Sequence, residues 1–437
     1  MSLDAYAKTL QAAIHHKLDY RLSNTADYVL ERRTVKFMPM AGDKFSPNST
    51  RTAAFRLTGT SYIDPSTVRL CGKLHNLNST AMQPTSAAHG LWTEGRCICA
   101  GSPIETVQNF GKVAETIFRT MTPNAKVRYT DQSFPLILSG SGASDPERGK
   151  LAYNPIAANA SVHWQMELLP FGLFHSQNKP LPLRFMPLIL EFTLGGMQQM
   201  FNTASYASNW ELDGLYLQCD ELIIESGMDS ALAERLSQGT PLNIPITTHI
   251  SFHQALPDGS QTPTVVVNRA LSKLNEVWVS FAKDVSVTNE AKSPLVSEFY
   301  KGTLANGTAV ANGETTFSLQ VGGRRWPYYG PISNTQSFML EVEKALGAIG
   351  SQHKDIGLSL ENYTSLTEKA FLAAIDLEAC PPSSDISFTG LNSRDASAIT
   401  LSWTGCGVGV GAPKACFVAL VAQIIISLSL DSCTVLE

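Results

Sequence analysis

The stretch from Trp164 to Leu194 constrains the fold of this chain more than any other. Trp164, Met166 and Leu168 alternate with Gln165 and Glu167, and Leu188, Leu190, Phe192 and Leu194 alternate with Ile189, Glu191 and Thr193. A period of two at both ends means two strands, each with one buried face. Between them Pro170, Pro180, Pro182 and Pro187 fix φ and cannot donate to a ladder, so the crossing is expected to be extended and rigid. Two apolar strands joined by a stiff crossing turn the edge of a β-sandwich. The flanking sequence should then be more sandwich.

At 437 residues the chain exceeds what one hydrophobic core serves, roughly 250–300 residues. Two domains are expected. Leu3, Tyr6, Leu10, Ala13, Ile14 and Leu18 recur at helical spacing, which predicts an amphipathic N-terminal helix. Strand code follows at Val35–Phe37, Ala53–Leu57, Tyr62–Leu70 and Cys97–Cys99. Ser102-Pro-Ile-Glu105 reads as a capping box opening a helix that carries Val107, Phe110, Ala114, Ile117, Phe118 and Met121 and ends at Pro123. Val127–Tyr129 and Phe134–Leu138 read as strands, and Leu215–Ile224 as a longer one. Met228–Leu236 is a short helix stopped by Gly239-Thr-Pro241, and the domain boundary is placed there. Beyond it, strands are expected at Leu242–Phe252, Val265–Val267, Glu276–Phe281, Thr315–Val321, Phe371–Leu377, Ala398–Trp403 and Phe417–Leu430, with one helix opened by Ser333-Asn-Thr-Gln336. The expected organisation is a helical arm (1–29), a first sandwich (30–227) and a second sandwich (228–437), all-β with a short helix in each half.

Chemistry is sparse. Net charge is −5 and only 16% of residues are charged, which gives no reason to expect a nucleic-acid binder. Arg32, Arg33 and Lys36 form one short basic patch that could face a nucleic acid or a lipid headgroup, although three such residues are usually plain surface. Cys97 and Cys99 point the same way on a strand, but a structural zinc needs four ligands and no second pair has ligand spacing. His15-His16 is the one adjacent histidine pair. Gly111-Lys112-Val113 is no phosphate loop, Gly140-Ser-Gly142 no nucleophile elbow, and Gly405, Gly407, Gly409 and Gly411 precede Pro413 instead of a helix. No catalytic residue, cofactor or metal site is expected. Asp220, Glu221 and Glu225 are the carboxylates to weigh for glycan hydrolysis, which needs two such groups about 5–9 Å apart.

No secretion signal is expected, since Met1–Asp4 offers no basic stretch followed by an apolar one, and no run reaches the ~20 apolar residues of a membrane span; Gln423, Ser427 and Ser429 interrupt the longest. Eight cysteines then read as reduced thiols of a protein made in the cytosol. Asn-x-Ser/Thr triplets begin at Asn48, Asn78, Asn159, Asn306 and Asn362 and are read as chance.

Four segments, in order, resemble double jelly-roll major capsid proteins of the lineage shared by adenoviruses, tectiviruses and large eukaryotic DNA viruses. They are Glu167-Leu-Leu-Pro-Phe-Gly-Leu-Phe with Lys179-Pro-Leu-Pro-Leu-Arg-Phe-Met-Pro-Leu-Ile-Leu-Glu-Phe, then Leu215-Tyr-Leu-Gln-Cys-Asp-Glu-Leu-Ile-Ile-Glu, then Lys273-Leu-Asn-Glu-Val-Trp-Val, then Phe371–Leu377 with Phe388-Thr-Gly-Leu-Asn-Ser-Arg-Asp-Ala-Ser-Ala. The likeness spans most of residues 30–437 as pattern; the late turn lacks the family's Pro-Ser-Gly opening. It implies a structural protein without enzymatic activity. Its expected partners are copies of itself in a homotrimeric pseudo-hexagonal capsomer, neighbouring capsomers, and minor capsid or penton proteins. The N-terminal arm would meet an internal membrane or the genome, the loops Ser139–Lys150 and Asp284–Gly313 would form outer towers or inter-capsomer contacts, and the location would be the virion. The alternative is a two-domain jelly-roll carbohydrate-active hydrolase or a trimeric sugar-binding protein.

Overall fold

The computed structural model describes residues 28–137, 153–197, 199–201, 209–257, 260–282, 315–347, 356–358, 371–379, 389–394, 398–406, 414–430 and 432–436. The segment expected as an N-terminal helix and the loops expected as towers, Ser139–Lys150 and Asp284–Gly313, therefore lie outside the described residues. In chain order the first half gives β1 (Val29–Phe37), β2 (Lys44–Phe45), β3 (Thr52–Leu57), β4 (Tyr62–Ile63), β5 (Arg69–Asn76), β6 (Trp92–Cys99), β7 (Ser102–Gln108), α1 (Phe110–Thr120), α2 (Pro123–Gln132), β8 (Ser161–Glu167), α3 (Gly172–His175), β9 (Leu181–Pro182), β10 (Leu188–Leu194) and β11 (Trp210–Ile224). After α4 (Ser226–Ser237) come β12 (Leu242–Ala255), β13 (Thr264–Val267), β14 (Leu274–Ala282), β15 (Thr316–Val321), β16 (Arg324–Trp326), α5 (Thr335–Ala345), β17 (Ala373–Asp376), β18 (Ile399–Thr404), β19 (Ala415–Leu428) and β20 (Cys433–Leu436).

Four antiparallel sheets result. β8-β5-β11-β4-β9, with β1 and β2 also on β11, faces β3-β10-β6-β7; β12-β19-β14-β17, with β20 on β19, faces β13-β18-β15-β16. Among the described residues no sheet mixes strands from before and after α4, and the chain is a double jelly roll. In the organising stretch β8 and β10 belong to opposite sheets of the first sandwich, as a turned edge requires. Leu188, Leu190, Phe192 and Leu194 are fully buried while the residues between them are half-exposed, and β10 pairs with β3 and β6. Phe192 sits among Phe55, Trp92, Phe110 and Phe171 with ring centroids 5.5–6.3 Å apart. Gly95 on β6 admits this cluster, because a Cβ there would lie 2.7 Å from Phe110 and 2.9 Å from Phe171. In the second sandwich Trp403 takes the same part, with Phe317 stacked at 4.1 Å and Phe281 edge-on at 4.9 Å.

The helical expectations need correction in the first sandwich. Ser102–Gln108 is strand β7, paired with β6 through Thr106↔Arg96 and Glu105↔Cys97, and α1 begins only at Phe110 behind a left-handed Asn109. The Ser-Pro-x-Glu pattern satisfies a local cap rule, but the adjacent edge of β6 offers this segment a full ladder. Val127–Tyr129 is not a strand; it lies in α2, which Pro123 opens and the Thr122 hydroxyl caps at Ala125 N, 3.4 Å. Of Phe134–Leu138, Leu136 forms a lone bridge to Tyr153. The proline-rich crossing is not wholly extended, since it holds the helical turn α3. Tyr62–Leu70 is two strands split by a short 3-10 turn that Asp64 caps. In the second sandwich α5 is capped by Asn334, whose side chain accepts from Ser337 N at 2.7 Å.

β19 explains the longest apolar run. It is a central strand between β12 and β14, and Ala415–Ala422 is buried on both faces. Lys112 of α1 lies over the Phe417 ring, so the first sandwich helps cover this strand. Among the described residues no helix is long and apolar enough to cross a membrane.

Candidate functional site

The weighed carboxylates come together with the basic patch instead of with each other. β1 lies antiparallel to β11 with Arg33 opposite Glu221 and Thr34 opposite Asp220. Asp220 accepts from Arg32 Nε at 2.8 Å and from Thr34 Oγ1 at 2.7 Å, while Glu221 accepts from Arg33 Nε at 3.1 Å. The hydrogen bond from Thr34 is the main reason the Asp220 carboxyl is held below its usual range. Adjacent residues on a strand face opposite ways, so Asp220 and Glu221 cannot flank one glycosidic bond. Glu225 stands at the N-terminus of α4. Lys36 lies 4.2 Å over the Tyr216 ring. These charges are cross-strand stitching.

The other sequence candidates are structural. Cys97 and Cys99 are buried free thiols. Gly405 is a turn with φ +69°, while Gly407–Gly411 and His15-His16 lie outside the described residues. Asn48 and Asn159 are exposed, whereas Asn78 is buried with its amide donated to Asn76 Oδ1 at 2.9 Å and Asn209 O at 2.9 Å. Among the described residues no group of three or more His, Cys, Asp or Glu side chains is placed to hold a metal.

What sequence reading missed is the seam between the sandwiches, built by β7, α3 and β12. Glu105, on β7, accepts from Gly172 N at 2.8 Å and Leu173 N at 2.9 Å, and also bonds Thr248 of β12. Burial pushes its carboxyl up to about 7 against these three donors. Across the same seam His249 Nδ1 faces Pro170 O at 3.2 Å, Ser176 Oγ accepts from Thr247 N at 3.0 Å, and Ser251 donates to Gln108 O. Burial draws the His249 imidazole down to about 4, so it is neutral and donates to Pro170. Gly172 permits the contact, because a Cβ there would lie 2.0 Å from Thr247 O. The Pro-Phe-Gly-Leu-Phe segment that carried the resemblance is thus the joint itself.

Beside the seam, α1 and α2 enclose a second polar network. Glu115 bridges His89 Nε2 at 2.7 Å and Arg119 Nε at 2.7 Å, and His89 Nδ1 meets Tyr129 Oη at 3.1 Å. Burial alone would raise the Glu115 carboxyl, but Arg119 and His89 outweigh it and hold the group down at about 2. Lys126 is buried and donates to Gly357 O at 2.5 Å, tying a second-half segment onto α2. Burial, with Arg119 nearby, draws its ammonium down to about 7. Between the halves lies a small crevice, partly open to solvent and lined by Asn109, Lys112, Ser251, Trp278, Ser280 and Phe417. Its lining contains no carboxylate.

The outer surface is more distinctive than any cavity. β1 pairs with β11 along one side, and among the described residues no strand pairs along its other side. Most of its length is exposed on both faces, and Leu30, at 66% exposure, with Tyr28, Met38 and Met40 makes an apolar border. An unpaired edge strand with exposed apolar residues in and beside it is a template for association, even where Glu31, Arg32 and Arg33 charge its middle.

Two sandwiches of two sheets each, joined by a buried seam, define a double jelly roll. Comparison with solved structures agrees. VP54 of PBCV-1, fitted into a reconstruction of the virophage Sputnik, superposes with a TM-score of 0.63 at 10% identity, covering 95% of this chain and 99% of that one. The Faustovirus major capsid protein gives 0.60 at 9% identity, covering 94% and 92%, and the Sputnik virophage structure 0.58 at 9%, covering 96% and 91%. No protein-family model and no curated protein matches the sequence.

Proposed function

We propose that this chain is the major capsid protein of an icosahedral virus, acting without enzymatic activity. It assembles as a homotrimer whose six sandwiches form a pseudo-hexagonal capsomer. The observation that carries this is the β1 edge, exposed on both faces and apolar at its border, on a fold whose solved neighbours include capsid proteins over nearly their whole length. Permanent interfaces of this kind bury roughly 2,000–5,000 Å². Residues 30–227 and 228–437 are the two sandwiches, and residues 1–29 are an arm directed to the inner face, toward a membrane or the genome. Ser139–Lys150 and Asp284–Gly313 serve as towers or inter-capsomer contacts. Further partners are minor capsid or penton proteins, and the chain is made in the host cytosol and resides in the virion. Light scattering of the purified protein should give about 142 kDa, three times the 47.3 kDa chain. A stable monomer would overturn the proposal.

A further inference from the structure

Cys99 closes β6 and is followed by a tight turn, Ala100 at φ +48° and Gly101 at φ +81°, into β7. Cys433 opens the short strand β20, which turns back on β19 with Cys433 opposite Leu428 and Ser429 N donating to Ser432 O at 2.9 Å. β20 packs on β7, so the C-terminal hairpin of the second sandwich rests on a hairpin of the first. Both sulfurs are buried, at 0% and 3% exposure, and the two thiols interact directly. Cys97 lies one strand repeat from Cys99 on the same face. All seven described cysteines are free thiols.

We propose that Cys99 and Cys433 form a redox latch: two thiols in a reducing compartment and a disulfide joining the two sandwiches once the protein meets a small-molecule disulfide. The Cys433 thiol is the attacking group, since it lies on the short strand whose opening exposes it, whereas Cys99 closes a strand paired on both sides. Its thiolate attacks one sulfur of oxidised glutathione, breaking that S–S bond and releasing one glutathione thiolate. Cys99 then attacks the Cys433 sulfur of the mixed disulfide and expels the second glutathione. Two electrons pass from the cysteines to glutathione, and the two cysteine protons go to the two released thiolates. Access comes by local opening of β20, a four-residue strand paired only with β19 among the described residues, with Thr434 and Leu436 exposed. The covalent link would close residues 99–433 into one long loop, and cross-linking restrains the unfolded state more as the loop lengthens.

The test incubates the full-length protein with oxidised or with reduced glutathione, alkylates the remaining thiols, digests it, and maps linked peptides by mass spectrometry. The expected result is a Cys99–Cys433 linked peptide in the oxidised sample only, with two fewer alkylated thiols. The melting temperature should rise by roughly 5–10 °C. Cys97→Ser should keep the link, and Cys433→Ser should lose both the link and the oxidation-dependent rise. Full alkylation of Cys99 and Cys433 after oxidation, or a link from either to a different cysteine or to a second chain, would overturn the latch. If Cys433→Ser fails to fold, the wild-type peptide map alone decides the matter.

Discussion

Glu105 should make the joint between the sandwiches pH-sensitive in a way that one substitution can isolate. Its carboxyl is buried and pushed from an ordinary 4.5 up to about 7. Between those values the native state holds a proton that the unfolded chain has released, so stability falls as pH rises and the full penalty is reached above 7. The gap corresponds to about 3 kcal/mol, at roughly 1.36 kcal/mol per pH unit. Glu105→Gln cannot ionise and has one acceptor oxygen for the Gly172 and Leu173 amides. One buried N–H is left unpaired, which costs about 1–3 kcal/mol. At pH 5 the variant should therefore be less stable than wild type, and by pH 8 the difference should close or reverse. Urea unfolding of both proteins at pH 5, 6, 7 and 8 reads this directly. The difference removes groups common to both, including Glu276, which burial pushes up to about 8, and Lys126. A stability difference that stays constant across this range would refute the reasoning.

Three other outcomes follow from the same structure. Phe192→Ala empties the centre of the first core and should cost about 3–5 kcal/mol in urea unfolding. Gly172→Ala places a methyl group 2.0 Å from Thr247 O, so the seam must open. That should cost more than about 2 kcal/mol and speed amide exchange over Thr247–Ser251, while unchanged exchange would count against the packing described. Leu30→Glu with Met38→Glu alters residues 66% and 62% exposed. It should change the chain's own stability by less than about 1 kcal/mol yet abolish the trimer in light scattering, and a trimer that persists would remove β1 from the interface.

The sheets were legible because burial on one face imposes a period of two, as at Leu188–Leu194 and Ile399–Thr404, and because prolines and glycines punctuate them. The helices at α4 and α5 were legible from caps and spacing. β7 and α2 were not, since Ser102-Pro-Ile-Glu105 and Val127–Tyr129 satisfy local rules that the neighbouring elements overrule. For the same reason Glu105 read as a capping residue, although tertiary structure makes it the buried acceptor of the seam. Asp220 and Glu221 read as possible acids until β1 brought Arg32, Arg33 and Thr34 alongside. Sequence alone determined two sandwiches in tandem and many of their strands, because alternation and turn chemistry are local. The tertiary structure alone decided which charges are spent on each other, which thiols meet and which edge is left uncovered. Those depend on contacts between residues far apart in the chain, which no local pattern records.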